Sequence, residues 1–205
     1  MKNLIDGKYD IGGILYDIYD DGTATVAGYT NDLPNAVSIP ATISLKGAEY
    51  TVDCIGESCE HLDHEMLCRY NSTYPRTAIV NTGFRGCGNL ESIVIPDSVT
   101  TIGIRAFLQC ENLKSVEIPS SVTVIGRNAF MWCRSLKSLV IPDSVTIIGA
   151  MAFSSCKSLE HIVIPDSVTT IGDLAFLNCK KLEHIVMPNS VKEIGYDPFY
   201  GCPNR

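Results

Sequence analysis

Apolar positions recur in a fixed order through the C-terminal two thirds of the chain. In Leu113, Val116, Ile118, Pro119 the last two apolar residues are separated by one position, the period of a strand with one buried face. Proline follows this stacking strand each time, at Pro96, Pro119, Pro142, Pro165 and Pro188. Without an N–H it must end or bend the parallel ladder, and Asp97, Asp143, Asp166 and Asn189 then favour a turn. A second apolar segment, Val99 to Ile102 and its copies, enters the core before Gly103, Gly126, Gly149, Gly172 and Gly195. This glycine row predicts a positive φ where the chain reverses. Beyond it, A-F-x-x-C-x-x-L sets Ala106, Phe107, Cys110 and Leu113 at helical spacing, and the phenylalanines from Phe107 to Phe199 form an aromatic spine. One unit therefore reads as strand, turn, short strand and helical turn.

The unit repeats without drift. Cys87, Cys110, Cys133, Cys156, Cys179 and Cys202 stand 23 residues apart (110 − 87 = 23). IPDSVTTIGIRAFLQCENLKSVE from Ile95 returns three times and then in part. A constant period of this length predicts a solenoid, whose coils bury a continuous core only by stacking. Residues 36–205 are read as the array: 79–205 regular, 36–78 degenerate. Ile39-Pro40 and Ile55-Gly56 reproduce the landmarks of the unit, but Pro40 to Ile55 spans 15 positions where Pro96 to Ile102 spans 6. The surplus predicts a hairpin about Lys46 and Gly47, and residues 57–78 are left as a coil that has lost the motif. Ahead of the array, Ile14–Tyr19, the turn Asp20-Asp21-Gly22 and Thr23–Ala27 read as a β-hairpin, making residues 1–35 an N-terminal cap. The repeat stops midway at Arg205, either as a half-coil lid or as a truncation.

Composition narrows the classes. With 45% hydrophobic and 19% charged residues the chain is too apolar for disorder, while its apolar runs are far shorter than a membrane span. A net charge of −7 and a pI near 5.0 predict no basic patch and no nucleic-acid partner. Met1 to Ile5 lacks an apolar run of signal length, so the chain stays in the cell or has lost an export signal. Stacking places the row cysteines about 4.8 Å apart with parallel Cβ vectors, wider than the roughly 3.8 Å a disulfide needs. They read as buried free thiols.

Several clusters invite chemistry. Cys54, Cys59, His61, His64 and Cys68 crowd into fifteen residues, leaving a zinc site, a local disulfide or plain packed thiols as alternatives. Paired C-x-x-C spacing is missing, and Cys59 aligns with the buried alanine of the unit. His161 and His184 lie one period apart, as a metal-binding or pH-sensing pair or as two solvated positions of a duplicated EHIV. Asp17, Asp20 and Asp21 have the charge of a calcium loop without its spacing. Asn71-Ser72-Thr73 is a glycosylation sequon. No nucleophile, base and orienting acid recur together and no phosphate loop is present, so no catalytic residue, metal ligand or cofactor is assigned and the chain is read as a non-enzyme.

Solenoids offer surfaces. Outward positions of the stacking strands form two rows: Ser92, Ser115, Ser138, His161, His184, and Val94, Glu117, Val140, Val163, Val186. The second is a nearly continuous valine stripe. Val94, Glu117, Val140, His161, Val163, His184 and Val186 are the candidate partner-binding residues, against the plainer reading that valine suits strands. Leu108, Met131, Leu177 and Tyr200, with Trp132 beside them, form a second row on the helical side.

The I-P-x-S-V-T-x-I-G-x-x-A-F-x-x-C-x-x-L unit resembles the BspA-like class of leucine-rich repeats. It matches closely over 79–202 and loosely over 36–78. The resemblance implies a leucine-rich repeat solenoid: a β-rich right-handed superhelix of parallel stacked strands with short helical turns and a β-rich lead-in. It further implies a secreted or surface-anchored bacterial protein tied to adhesion or to binding host proteins, and supplies no catalytic residues. The expected function is a non-enzymatic recognition module for a protein or glycan partner, with host extracellular proteins among the candidates. A spacer displaying another domain is the alternative.

Overall fold

The computed structural model describes residues 4–30, 33–56 and 83–203; the degenerate coil read at 57–78 lies outside them. Antiparallel strands come first: β1 (Leu4–Ile11), β2 (Ile14–Tyr19) and β3 (Thr23–Tyr29). Gly12, Gly13 and Gly22 take positive φ at their turns. After β4 (Ala36–Ser38), β5 (Thr42–Leu45) and β6 (Ala48–Ile55) pair antiparallel about Lys46 and Gly47. Both turn residues have positive φ, as a two-residue hairpin loop requires.

From there the chain winds. Three-residue strands β7 (Ser92–Val94), β9 (Ser115–Glu117), β11 (Ser138–Val140), β13 (His161–Val163) and β15 (His184–Val186) alternate with two-residue strands β8 (Thr101–Ile102), β10 (Val124–Ile125), β12 (Ile147–Ile148), β14 (Thr170–Ile171) and β16 (Glu193–Ile194). The short strands, secondary in the sequence reading, carry the longer sheet. They continue β1-β2-β3-β6 through β8-β10-β12-β14-β16, with β5 beside β6. β3 joins β6 in parallel, which is where the antiparallel start becomes a parallel stack. The three-residue strands form two separate sheets, β4-β7-β9 and β11-β13-β15, so β9 and β11 do not pair. The prolines end these ladders, and serine hydroxyls one turn later bond to the coil before: Ser144 Oγ donates to the Val122 carbonyl at 2.6 Å and Ser167 Oγ to that of Val145 at 2.8 Å.

Two expectations need correction. Gly126, Gly149, Gly172 and Gly195 do not have positive φ. They are small because the coils touch there: a Cβ on Gly126 would lie 2.8 Å from the Gly103 carbonyl carbon, and one on Gly149 2.7 Å from the Arg127 nitrogen. Left-handed backbone falls instead on Arg105, Asn128, Met151 and Leu174, and again on Gln109, Trp132, Ser155 and Asn178.

The segment after the glycine is no helix either, and the described residues contain none. Its N–H groups alternate in direction. Ala106, Leu108 and Cys110 donate within the coil, to Gly103, Arg105 and Phe107, while Arg105, Phe107 and Gln109 donate to Arg127, Ala129 and Met131 of the next coil. An α-helix would turn every N–H along its own axis. Residues with positive φ turn alternate ones along the stack, so linked β-turns make a third ladder. Three- and four-residue apolar spacing suits both geometries, which is why the pattern read as helical.

The core runs the length of the stack. Phe84, Phe107, Phe130, Phe153, Phe176 and Phe199 stack at 5.0–5.6 Å between successive centroids, with nearly parallel ring planes. All but Phe199 are fully buried.

Candidate recognition surface

Strand alternation sends Ile93, Val116, Leu139 and Ile162 inward and their neighbours outward. In β11-β13-β15 the register pairs Ser138 with His161 and His161 with His184, and Val140 with Val163 and Val163 with Val186. Val140, Val163 and Val186 are 70–78% exposed and Val94 59%. In β4-β7-β9, Val94 pairs with Glu117. Val94, Glu117, Val140, His161, Val163 and Val186 thus lie on one strand face but in two sheets, Val94 and Glu117 on one and the others on the second, where His184 holds the register position after His161. The stripe is continuous in side chains only from Val140 to Val186, because the β9–β11 seam and Glu117 interrupt it.

Beside β13 lies a shallow cavity of about 260 Å³ lined by Glu160, His161, Lys181 and Glu183. The Lys181 ammonium donates to Glu160 at 3.2 Å, so opposite charges meet within it.

Elsewhere the row cysteines are free and buried. Burial pushes the Cys156 thiol up to about 12 and also raises those of Cys110 and Cys133. Cys179 is raised by its hydrogen bond with Cys202 and then by burial. None is a nucleophile at neutral pH. Cys54 is buried too, while Cys59, His61, His64, Cys68 and the sequon at Asn71 lie outside the described residues. Among the described residues no three His, Cys, Asp or Glu side chains gather as a metal site. At the suggested calcium loop, the Asp21 carboxylate accepts from the Thr23 N–H at 3.0 Å and hydroxyl at 2.7 Å, which makes it a turn cap. On the turn side, Leu108 is buried, Met131, Trp132 and Leu177 are partly covered, and Tyr200 is exposed. This row is partly covered. No described helix is long and apolar enough to cross a membrane.

Solved structures share this architecture. A leucine-rich cell surface protein from Faecalibacterium prausnitzii superposes with a TM-score of 0.61 at 29% identity, over 96% of this chain and 53% of that one. The T. pallidum leucine-rich repeat protein gives 0.67 at 26%, over 92% and 81%. A leucine-rich repeat protein from Bacteroides ovatus gives 0.56 at 28%, over 96% and 57%. The chain thus spans about half the length of the first of these. No curated protein gives a significant match. The pattern of the BspA type leucine-rich repeat region matches residues 77–205 in 6 copies. Those residues hold the cysteine row, the phenylalanine stack and the parallel ladders, and on that match the chain belongs to the BspA type leucine-rich repeat family.

Proposed function

We propose that the chain is a non-enzymatic recognition module of a secreted or surface-exposed bacterial protein, binding a protein or glycan partner through its three-residue strands. One observation carries the reading: Val140, Val163 and Val186 form a row in register, 70–78% exposed, on strands whose intervening residues, Leu139, Ile162 and the half-buried Ile185, pack on the core. A fixed apolar row beside Ser138 and His161 can bury area while polar neighbours select. The name of the Faecalibacterium protein, a leucine-rich cell surface protein, supports the location. In this reading residues 1–35 close the core at one end of the array and residues 36–205 present the surface.

The test replaces Val140, Val163 and Val186 together by serine and screens binding to extracellular matrix proteins and glycans. The triple variant should keep its melting temperature and lose affinity at least tenfold. Retained binding, with loss on replacing Leu108, Met131 and Trp132 instead, would move recognition to the turn side.

A further inference from the structure

The acidic balance of the chain predicted no basic patch, and along one edge of the array that expectation fails. The position after the row cysteine holds Gly88, Glu111, Arg134, Lys157, Lys180 and Pro203 in successive coils. All three cations are exposed. Because the coils stack in register, they recur at about 4.8 Å, in a line along the solenoid axis. Lys137 and Lys181, exposed on neighbouring positions of the same edge, widen the rib. Glu111 meets Arg134 at 3.5 Å and Glu160 meets Lys181 at 3.2 Å, and Glu160 and the exposed Glu183 hold the repeat position of Lys137 in the two following coils. Lys180 donates to the Gly201 carbonyl, while Lys157 and Lys137 enter no ion pair among the described residues. Asp97, Asp143 and Asp166 are exposed at the turns that follow the three-residue strands.

We propose that the rib of Arg134, Lys157 and Lys180 binds an anionic polysaccharide, sulfated or carboxylated. Three features select a glycan over other polyanions. Two of the three cations are lysines, point charges that impose no fixed geometry on their anions and so accept groups spaced loosely along a chain. The row before the cysteines, on the same side of each coil, offers the half-buried ring of Trp132 and the carboxamide of Asn178, an apolar face and a hydroxyl partner for sugars. The cations also run in a straight line matched to an extended polymer. This surface is separate from the valine row.

Trp132 is the only tryptophan, so its fluorescence reports binding. The chain is titrated at 50 mM salt with heparin oligosaccharide as the sulfated probe and oligogalacturonate as the carboxylated one. Saturable binding to either is expected and identifies the anion. Lys157→Gln with Lys180→Gln should weaken it at least tenfold and lower the slope of log K against log salt by about one to two. Lys192→Gln, in the exposed threonine row, should bind like the parent, and both should melt like it. The valine triple variant should also bind heparin normally, so failure of one reading leaves the other standing. No binding to either glycan, unchanged affinity in the double lysine variant, or equal binding of polyglutamate or duplex DNA at matched charge would overturn the proposal.

Discussion

The Cys133 thiol donates to the carbonyl of Phe107 in the coil before, at 3.2 Å, and that oxygen also accepts the Cys110 N–H at 3.1 Å. The relation holds along the row: Cys110 to Phe84 at 3.0 Å, Cys156 to Phe130 at 3.2 Å, Cys179 to Phe153 at 3.1 Å and Cys202 to Phe176 at 3.2 Å. Cysteine here is a donor that reaches the second lone pair of a buried carbonyl, as well as a small apolar filler. Replacing Cys156 by alanine should cost about 1–2 kcal/mol through the lost volume and donor. Aspartate there should cost more than about 3 kcal/mol, because its charge has no partner. Urea melts measure both; no shift for aspartate would place the row in water.

Thiol reagents should find the six row cysteines protected in the native protein at pH 8 and reactive after denaturation. Any disulfide between two of them in the folded chain would contradict the structure.

Alkaline pH should unfold the protein. Unfolded thiols ionise near 9, whereas burial holds Cys156 protonated to about 12 and raises Cys110 and Cys133 as well. The folded state therefore keeps protons that the unfolded state releases. Its stability is complete below about pH 9 and falls as pH rises towards 12, by about 1.4 kcal/mol per unit for each such thiol. A circular-dichroism titration should show loss of β structure between about pH 10 and 11. Flat stability across pH 9 to 11 would contradict the burial of the row.

Gly149→Val should destabilise by about 3 kcal/mol or more, since its Cβ would sit 2.7 Å from the Arg127 nitrogen and 2.8 Å from the Gly126 carbonyl carbon. Thr146→Val loses one exposed hydrogen bond, to Thr123 at 3.3 Å, and should stay within about 1 kcal/mol. Denaturant melts decide. Equal stabilities would mean the coils can part at the glycine without cost.

Phe153→Ala removes a fully buried ring stacked on both sides and should cost about 3–5 kcal/mol. Phe199→Ala, half-buried at the end of the stack, should cost less than half of that. Similar losses would show that the terminal ring is as constrained as the central one.

The 23-residue period carried the solenoid, the proline-ended strands, the buried thiols and the exposed valines, because each follows from residue type recurring at a fixed position. What it hid were relations between coils. Glycine at 149 is demanded by the backbone of residues 126 and 127, and nothing local distinguishes that from a positive-φ turn. Ala106 to Leu113 has the same spacing as a helix or as linked turns, and only the coil-to-coil bonds of Arg105, Phe107 and Gln109 decide between them. The β9–β11 seam has no signature in Ser115–Glu117 or Ser138–Val140. For the surface, the valine row was legible from alternation, and the cationic rib was masked by a net charge that averages over the whole chain.

The β9–β11 seam also sets how the molecule answers a pulling force. Tension along the axis loads the coil junctions in series, so each opens like a zipper tooth, releasing 23 residues that extend by about 75 Å. Among the described residues, the junctions on either side are held by two strand ladders and a ladder of turns; the one at the seam lacks a strand ladder. Under load the array should part there first, yielding in steps while the coils on either side remain wound.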